Sequence, residues 1–153
     1  LTLLVNIENT AKSAAANEIA RQLQEAGLRV TVERLPWEEY TAALAARDFD
    51  LYLGEVYLTP DFDLSALIAP GGALNYGGWE DSVISGLLSA FRTAEGELRQ
   101  SAAASLYRYL CQQAPIAPIC FKNGSGLTQY GRLDQLNPTQ YNVFYDLSHW
   151  TVP

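Results

Sequence analysis

The chain is 153 residues long, 48% hydrophobic and 18% charged, which is a globular composition with enough length for one full core. Its formal charge is −7. Without a Lys/Arg cluster to offset that charge, phosphate backbones are repelled, and nucleic acid is set aside as a partner. No apolar run approaches the roughly 20 residues of a membrane span. The sequence opens directly on a strand pattern and contains no Met, which reads as an excised or processed chain whose targeting is not legible here.

Residues Leu1 to Ile7 form a short apolar run, the mark of a buried strand. Asn9 or Thr10 can cap a following helix. Ala14, Ala15, Ile19, Leu23 and Ala26 give that helix its apolar stripe, and Gly27 stands where a helix-ending glycine belongs. Leu28 to Leu35 alternates apolar and polar residues as a strand does. Pro36 opens a second helix, with Trp37, Tyr40, Ala43 and Leu44 expected on its buried face. Arg47-Asp48 ends it, and Phe49 to Val56 is the third strand, taken as the central one. The order βαβαβ argues for parallel pairing with helices on the faces of the sheet.

Past that strand the pattern changes. Thr59-Pro60 breaks it and leads to Asp61-Phe62-Asp63, and Leu64 to Ile68 is one short helical turn. Asn75-Tyr76-Gly77-Gly78-Trp79 is a loop of aromatics among glycines. Asp81 or Ser82 starts a helix carrying Val83, Ile84, Leu87, Leu88 and Phe91. A longer helix carries Leu98, Ala102, Leu106, Tyr109 and Leu110. Pro115 and Pro118 bracket a strand-like run ending Ile119-Cys120-Phe121, and short strands are expected at Gly126 to Tyr130 and Val143 to Tyr145.

Signals for catalysis are thin. The one histidine, His149, adjoins Ser148, but neighbours in sequence do not make a triad, and no GxSxG elbow is present. Asp61 and Asp63 are a possible acid/base pair, which keeps a small α/β hydrolase or transferase open as an alternative. Two positions apart on an extended chain they face opposite ways, and Asp63 is more simply a helix cap. The Asp-x-Asp pattern lacks the remaining ligands of a calcium loop, so neither a metal nor a cofactor is expected. The turn after the first strand, Asn6 to Ala11, has no glycine for a dinucleotide pyrophosphate. Cys111 and Cys120 have neither metal spacing nor a disulfide framework, and a single bridge between them stays open.

What remains is a recognition surface. Loops after the first and third strands bring Asn6, Glu8, Glu55, Tyr57 and Asp61 toward one rim, which Asn75, Tyr76 and Trp79 can join. For Tyr76 and Trp79 packing over the core is an equal reading, and Trp37 is expected in the core.

In order, Ala26-to-Tyr40 (AGLRVTVERLPWEEY), Asp48-to-Asp63 (DFDLYLGEVYLTPDFD), Asn75-Tyr76-Gly77, Ala114-to-Asn123 (APIAPICFKN) and the closing Asp146-to-Trp150 are similar to one known family. They resemble the C-terminal lobe of the family 5 extracytoplasmic solute-binding proteins, the peptide and nickel binders that feed ABC importers. The resemblance covers nearly the whole chain. It implies a single α/β lobe over residues 1–153, with a βαβαβ-type mixed sheet flanked by helices, belonging to a type II, periplasmic-binding-protein-like bilobed fold. It implies no catalysis. The partners it implies are a small-molecule or peptide solute, the N-terminal lobe that is missing here, and the permease subunits. The place it implies is extracytoplasmic, with a lipid anchor on the absent part. A sensor lobe of a signalling protein is a further alternative.

The chain departs from the peptide binders at its third strand. Gly54 is followed by Glu55 where an aromatic is usual, and Leu58 stands where an aspartate grips the peptide amine. Asp61 falls on a later, more structural aspartate. Glu8 and Glu55 together are expected to offer a clamp for a cationic ligand.

Overall fold

The computed structural model describes residues 1–122, 127–139 and 141–152. They divide into two compact units, Leu1–Pro115 and Ile116–Pro153.

The first unit begins with β1 (Thr2–Asn6), α1 (Thr10–Glu25), β2 (Thr31–Leu35), α2 (Trp37–Ala46) and β3 (Leu51–Tyr52). The strands form a parallel sheet in the order β2-β1-β3. β1 is therefore the central strand, and the stretch expected to be central lies at an edge. Burial explains why. Leu3, Leu4 and Val5 are all buried, the signature of a strand covered on both faces. Alternation sends Leu3 and Val5 to a cluster with Ala16 and Ala20 of α1 and with Val30. Leu4 goes to the opposite face, with Tyr40 and Leu44 of α2. On α1 it is Ala16 and Ala20 that are buried, and the expected Ala14 and Ala26 are exposed.

Helix α1 starts where expected. The Asn9 side chain accepts from the Lys12 N–H at 3.0 Å. It ends in a left-handed Gly27 (φ 89°), with Gly27 N–H donating to Gln24 O and Leu28 N–H to Leu23 O. That closing bond takes the Leu28 amide, so β2 begins at Thr31 and not at Leu28, and Leu28 is 45% exposed. Pro36 caps α2. Trp37, expected in the core, is 56% exposed, while Tyr40 and Leu44 of the same helix turn inward.

β3 is only two residues long. Leu53 N–H still donates to Leu4 O (2.9 Å), and Leu53 O accepts from the Tyr40 hydroxyl (3.1 Å). The chain then leaves the sheet, and Val56 and Tyr57 are exposed. Burial pushes the Tyr40 hydroxyl up to about 12, so it stays a proton donor.

Three helices complete this unit: α3 (Ser65–Ile68), α4 (Ser82–Thr93) and α5 (Gly96–Gln113). Asp81 caps α4, accepting from Val83 N–H at 2.7 Å. Ile84, Leu88 and Phe91 are buried on α4, and Leu106 and Leu110 on α5. The pair runs antiparallel: Tyr109, late in α5, donates its hydroxyl to Asp81 (2.5 Å), and Arg99, early in α5, lies 4.5 Å over the ring of Phe91. Val83 and Leu98, expected on the apolar stripes, are exposed.

The second unit holds a 3-10 turn, Leu147–His149, and an isolated antiparallel bridge between Asp134 and Thr151. The strand expected before Phe121 does not form. Pro115 and Pro118 each lack a ladder donor, and Ile119 and Phe121 are exposed. Val143 to Tyr145 lie in a turn, and residues 127–130 are irregular; Gly126, Asn123 and Pro153 fall outside the described residues. His149 lies against Asp146 on the surface. Cys111 and Cys120 are both free and exposed.

Candidate functional site

The carboxyl end of β1 carries the densest polar cluster of the predicted site. Asn6 is the last residue of β1 and, among the described residues, the one buried polar residue. Its Nδ2 donates to Glu8 Oε2 at 3.2 Å. The other Glu8 oxygen accepts from the Trp37 N–H at 2.8 Å, the first free amide of α2. That amide bond, chiefly, holds the Glu8 carboxyl below its usual range. Glu8 therefore ties the β1–α1 turn to the start of α2, and both of its oxygens are engaged.

The residue at the middle of this cluster, Lys12, is not among those expected at the site. Lys12 Nζ lies 3.4 Å from Glu55 Oε2 and 3.5 Å from Asn6 Oδ1. Its side chain is 18% exposed and that of Glu55 35%. A cation in the first turn of a helix opposes the helix dipole, so Lys12 needs a local counter-charge. That misplaced charge was the signal in the sequence. Glu55, expected beside Glu8 as a bare cation clamp, is thus already neutralised by a cation of the chain itself. Asn6, Glu8 and Glu55 do come together, with Lys12 between Asn6 and Glu55. Tyr57 is 84% exposed just beyond, and Leu58 is half-buried.

The other expected residues make contacts within the chain. Asn75 Nδ2 donates to Ala69 O (3.0 Å) and Trp79 O (2.8 Å), and its Oδ1 accepts from Trp79 N–H (2.9 Å). Tyr76 meets Tyr52 edge-on at 6.0 Å and packs against the Leu4–Tyr40–Leu44 cluster. Trp79 is half-buried. Asp61 lies 3.5 Å from Arg99 of α5, and the Thr59 hydroxyl, chiefly, lowers its pKa. Asp63, two residues before α3, accepts from Ser65 N–H (2.9 Å) and lies 3.7 Å from Arg92. The Ser65 hydroxyl, chiefly, lowers its pKa as well. An acid catalyst needs a raised pKa, so this pair is tuned the wrong way for hydrolysis. Among the described residues no cluster of three His, Cys, Asp or Glu is placed to hold a metal ion. No helix among them is long and apolar enough to cross a membrane.

The fold, a small parallel sheet flanked by helices, is that of one lobe-sized part of the type II periplasmic binding proteins. The chain superposes on the ABC transporter substrate-binding protein CtaP of Listeria monocytogenes with a TM-score of 0.76 at 18% identity, over 99% of this chain and 33% of that one. AppA, the oligopeptide-binding protein of Bacillus subtilis, solved with a nonapeptide, matches at 0.67 and 14%, over 99% and 31%. The Escherichia coli murein tripeptide binding protein MppA matches at 0.70 and 22%, over 78% and 24%. The chain thus spans about a quarter to a third of the length of these solved structures. No protein-family model matches it, and no curated protein matches it in sequence.

Proposed function

We propose that the chain is one lobe of the solute-binding component of an ABC importer, without catalytic turnover. It captures a small solute, peptide-like or otherwise, against a second lobe and presents it to the permease subunits. It works outside the cytoplasm, held to the membrane by an anchor on another part of the protein. The observation that carries this reading is the likeness to CtaP over 99% of the chain. The carboxyl end of a parallel strand is also where open α/β sheets receive ligands, and there the chain presents Asn6, Lys12 and Glu55. Closure of two lobes then shifts an open–closed population that the importer reads.

On this reading the chain holds half a site, since the remaining burial and polar contacts come from the second lobe. Calorimetry of the 153-residue chain against di- and tripeptides is expected to show no submicromolar binding. Submicromolar affinity would overturn the half-site, and turnover of generic ester or glycoside substrates would replace the reading with a hydrolase.

A further inference from the structure

The loop between β3 and α3 contains a residue held against its backbone preference. Phe62 has φ 54°, in the left-handed region that an aromatic residue rarely enters. Its N–H donates to Thr59 O at 2.9 Å, and the next amide, Asp63 N–H, donates to the Thr59 hydroxyl at 3.3 Å. The turn so closed sets Phe62 between Asp61 and Asp63, whose like charges repel. Backbone preference and charge thus both push this loop open. What opposes them comes from α4 and α5. Arg92 Nε lies 3.7 Å from Asp63, and Arg99 lies 3.5 Å from Asp61. The two arginines stand on either side of the short break between the helices. Arg99 is also seated over the ring of the buried Phe91, so the helix pair itself aims its guanidinium.

We infer that Arg92 and Arg99 are positioning residues: they form an electrostatic latch by which the α4–α5 hairpin holds the loop after β3 in its left-handed form. The magnitudes are matched. A left-handed residue other than glycine costs about fivefold or more in population, and one exposed ion pair returns at most about fivefold. One pair at best meets the least of that cost, and two are needed to exceed it. The latch is therefore poised close to balance, and salt screens it. It acts on the loop whatever solute the lobe takes.

The test follows solvent exchange of the Phe62 and Asp63 amides by NMR in the 153-residue chain, with the Leu53 amide, bonded to Leu4 O, as the internal control. Arg99→Gln and Asp61→Asn are each expected to speed exchange at Phe62 and Asp63 by about two- to fivefold. Combined, they are expected to do no more than either alone, since both remove the same pair. Asp61→Asn leaves the helices untouched and serves if an arginine variant does not fold. Arg92→Gln together with Arg99→Gln is expected to multiply the two effects and to weaken the intense intraresidue amide–Hα cross-peak of Phe62 that marks a positive φ. Sodium chloride at about 1 M, where the screening length is about 3 Å, is expected to bring the wild type to the rates of that double variant and to leave the variant unmoved. Arg92→Lys together with Arg99→Lys keeps both charges and is expected to keep most of the protection and its salt dependence. Exchange at Leu53 is expected to stay constant throughout, and an equal rise there would overturn the latch in favour of general loosening. Rates at Phe62 and Asp63 that ignore both the variants and the salt would overturn it too, leaving the Thr59 turn to hold the loop by itself.

Discussion

Asn75 separates a ligand-binding loop from a stapled one. Its side chain makes three hydrogen bonds, to Ala69 O, Trp79 O and Trp79 N–H, between 2.8 and 3.0 Å. Asn75→Ala removes all three. At about 0.5–1.5 kcal/mol net for each bond, the loss is about 2–4 kcal/mol. With a urea m-value of about 1–3 kcal/mol/M, the unfolding midpoint falls by about 1–2 M. Asn75→Asp is expected to do no better than alanine. It keeps the acceptor for the Trp79 amide but turns a carboxylate oxygen toward two carbonyl oxygens that the amide had bridged. The assay is urea unfolding followed by far-ultraviolet circular dichroism. A midpoint shift in Asn75→Ala below about 0.3 M, under a third of the smallest shift expected from the three bonds, would refute that role for Asn75. Asn75 would then be available to a ligand, as the sequence suggested.

Two further outcomes follow from particular contacts. Asp63 has a native pKa below its ordinary 3.8, owing first to the Ser65 hydroxyl, so its contribution to stability is present above 3.8 and is lost as pH falls through the lower native value. Asp63→Asn is expected to melt with a flatter pH dependence than the wild type below pH 3.8, and parallel curves would count against a role for the Ser65 bonds. Gly78 has φ 62°, and a Cβ there meets the Arg47 guanidinium. The guanidinium is the far end of a flexible side chain and can move aside, so Gly78→Ala should cost only the left-handed penalty, about 1 kcal/mol. The same cost is expected in an Arg47→Ala background. A much larger loss that Arg47→Ala relieves would show the guanidinium to be fixed.

The short-range features were legible. Asn9, Gly27 and Asp81 each act at the helix end their residue type suggests, because capping is settled within four or five residues of chain. The parallel βαβαβ layout was legible too, since an apolar run buried on both faces and two amphipathic crossovers leave few ways to pair. In the second unit the local signals misled. Apolar pieces near Phe121 and Val143 looked strand-like, yet no neighbouring strand pairs with them among the described residues.

The sequence by itself determined which residues could carry charge, caps and turns in the stretch from Asp48 to Asp63. Tertiary structure decided what those residues are for. Pairing made this stretch an edge and gave the centre to Thr2–Asn6. It spent Asp61 and Asp63 on Arg99 and Arg92, residues more than 25 positions away. It also set Lys12 against Glu55 across 43 positions of chain, so a cation of the chain itself lies beside the carboxylate expected to clamp one. Charge type is written residue by residue, but whether a carboxylate is bare or neutralised depends on which cation the fold brings within a few ångströms of it.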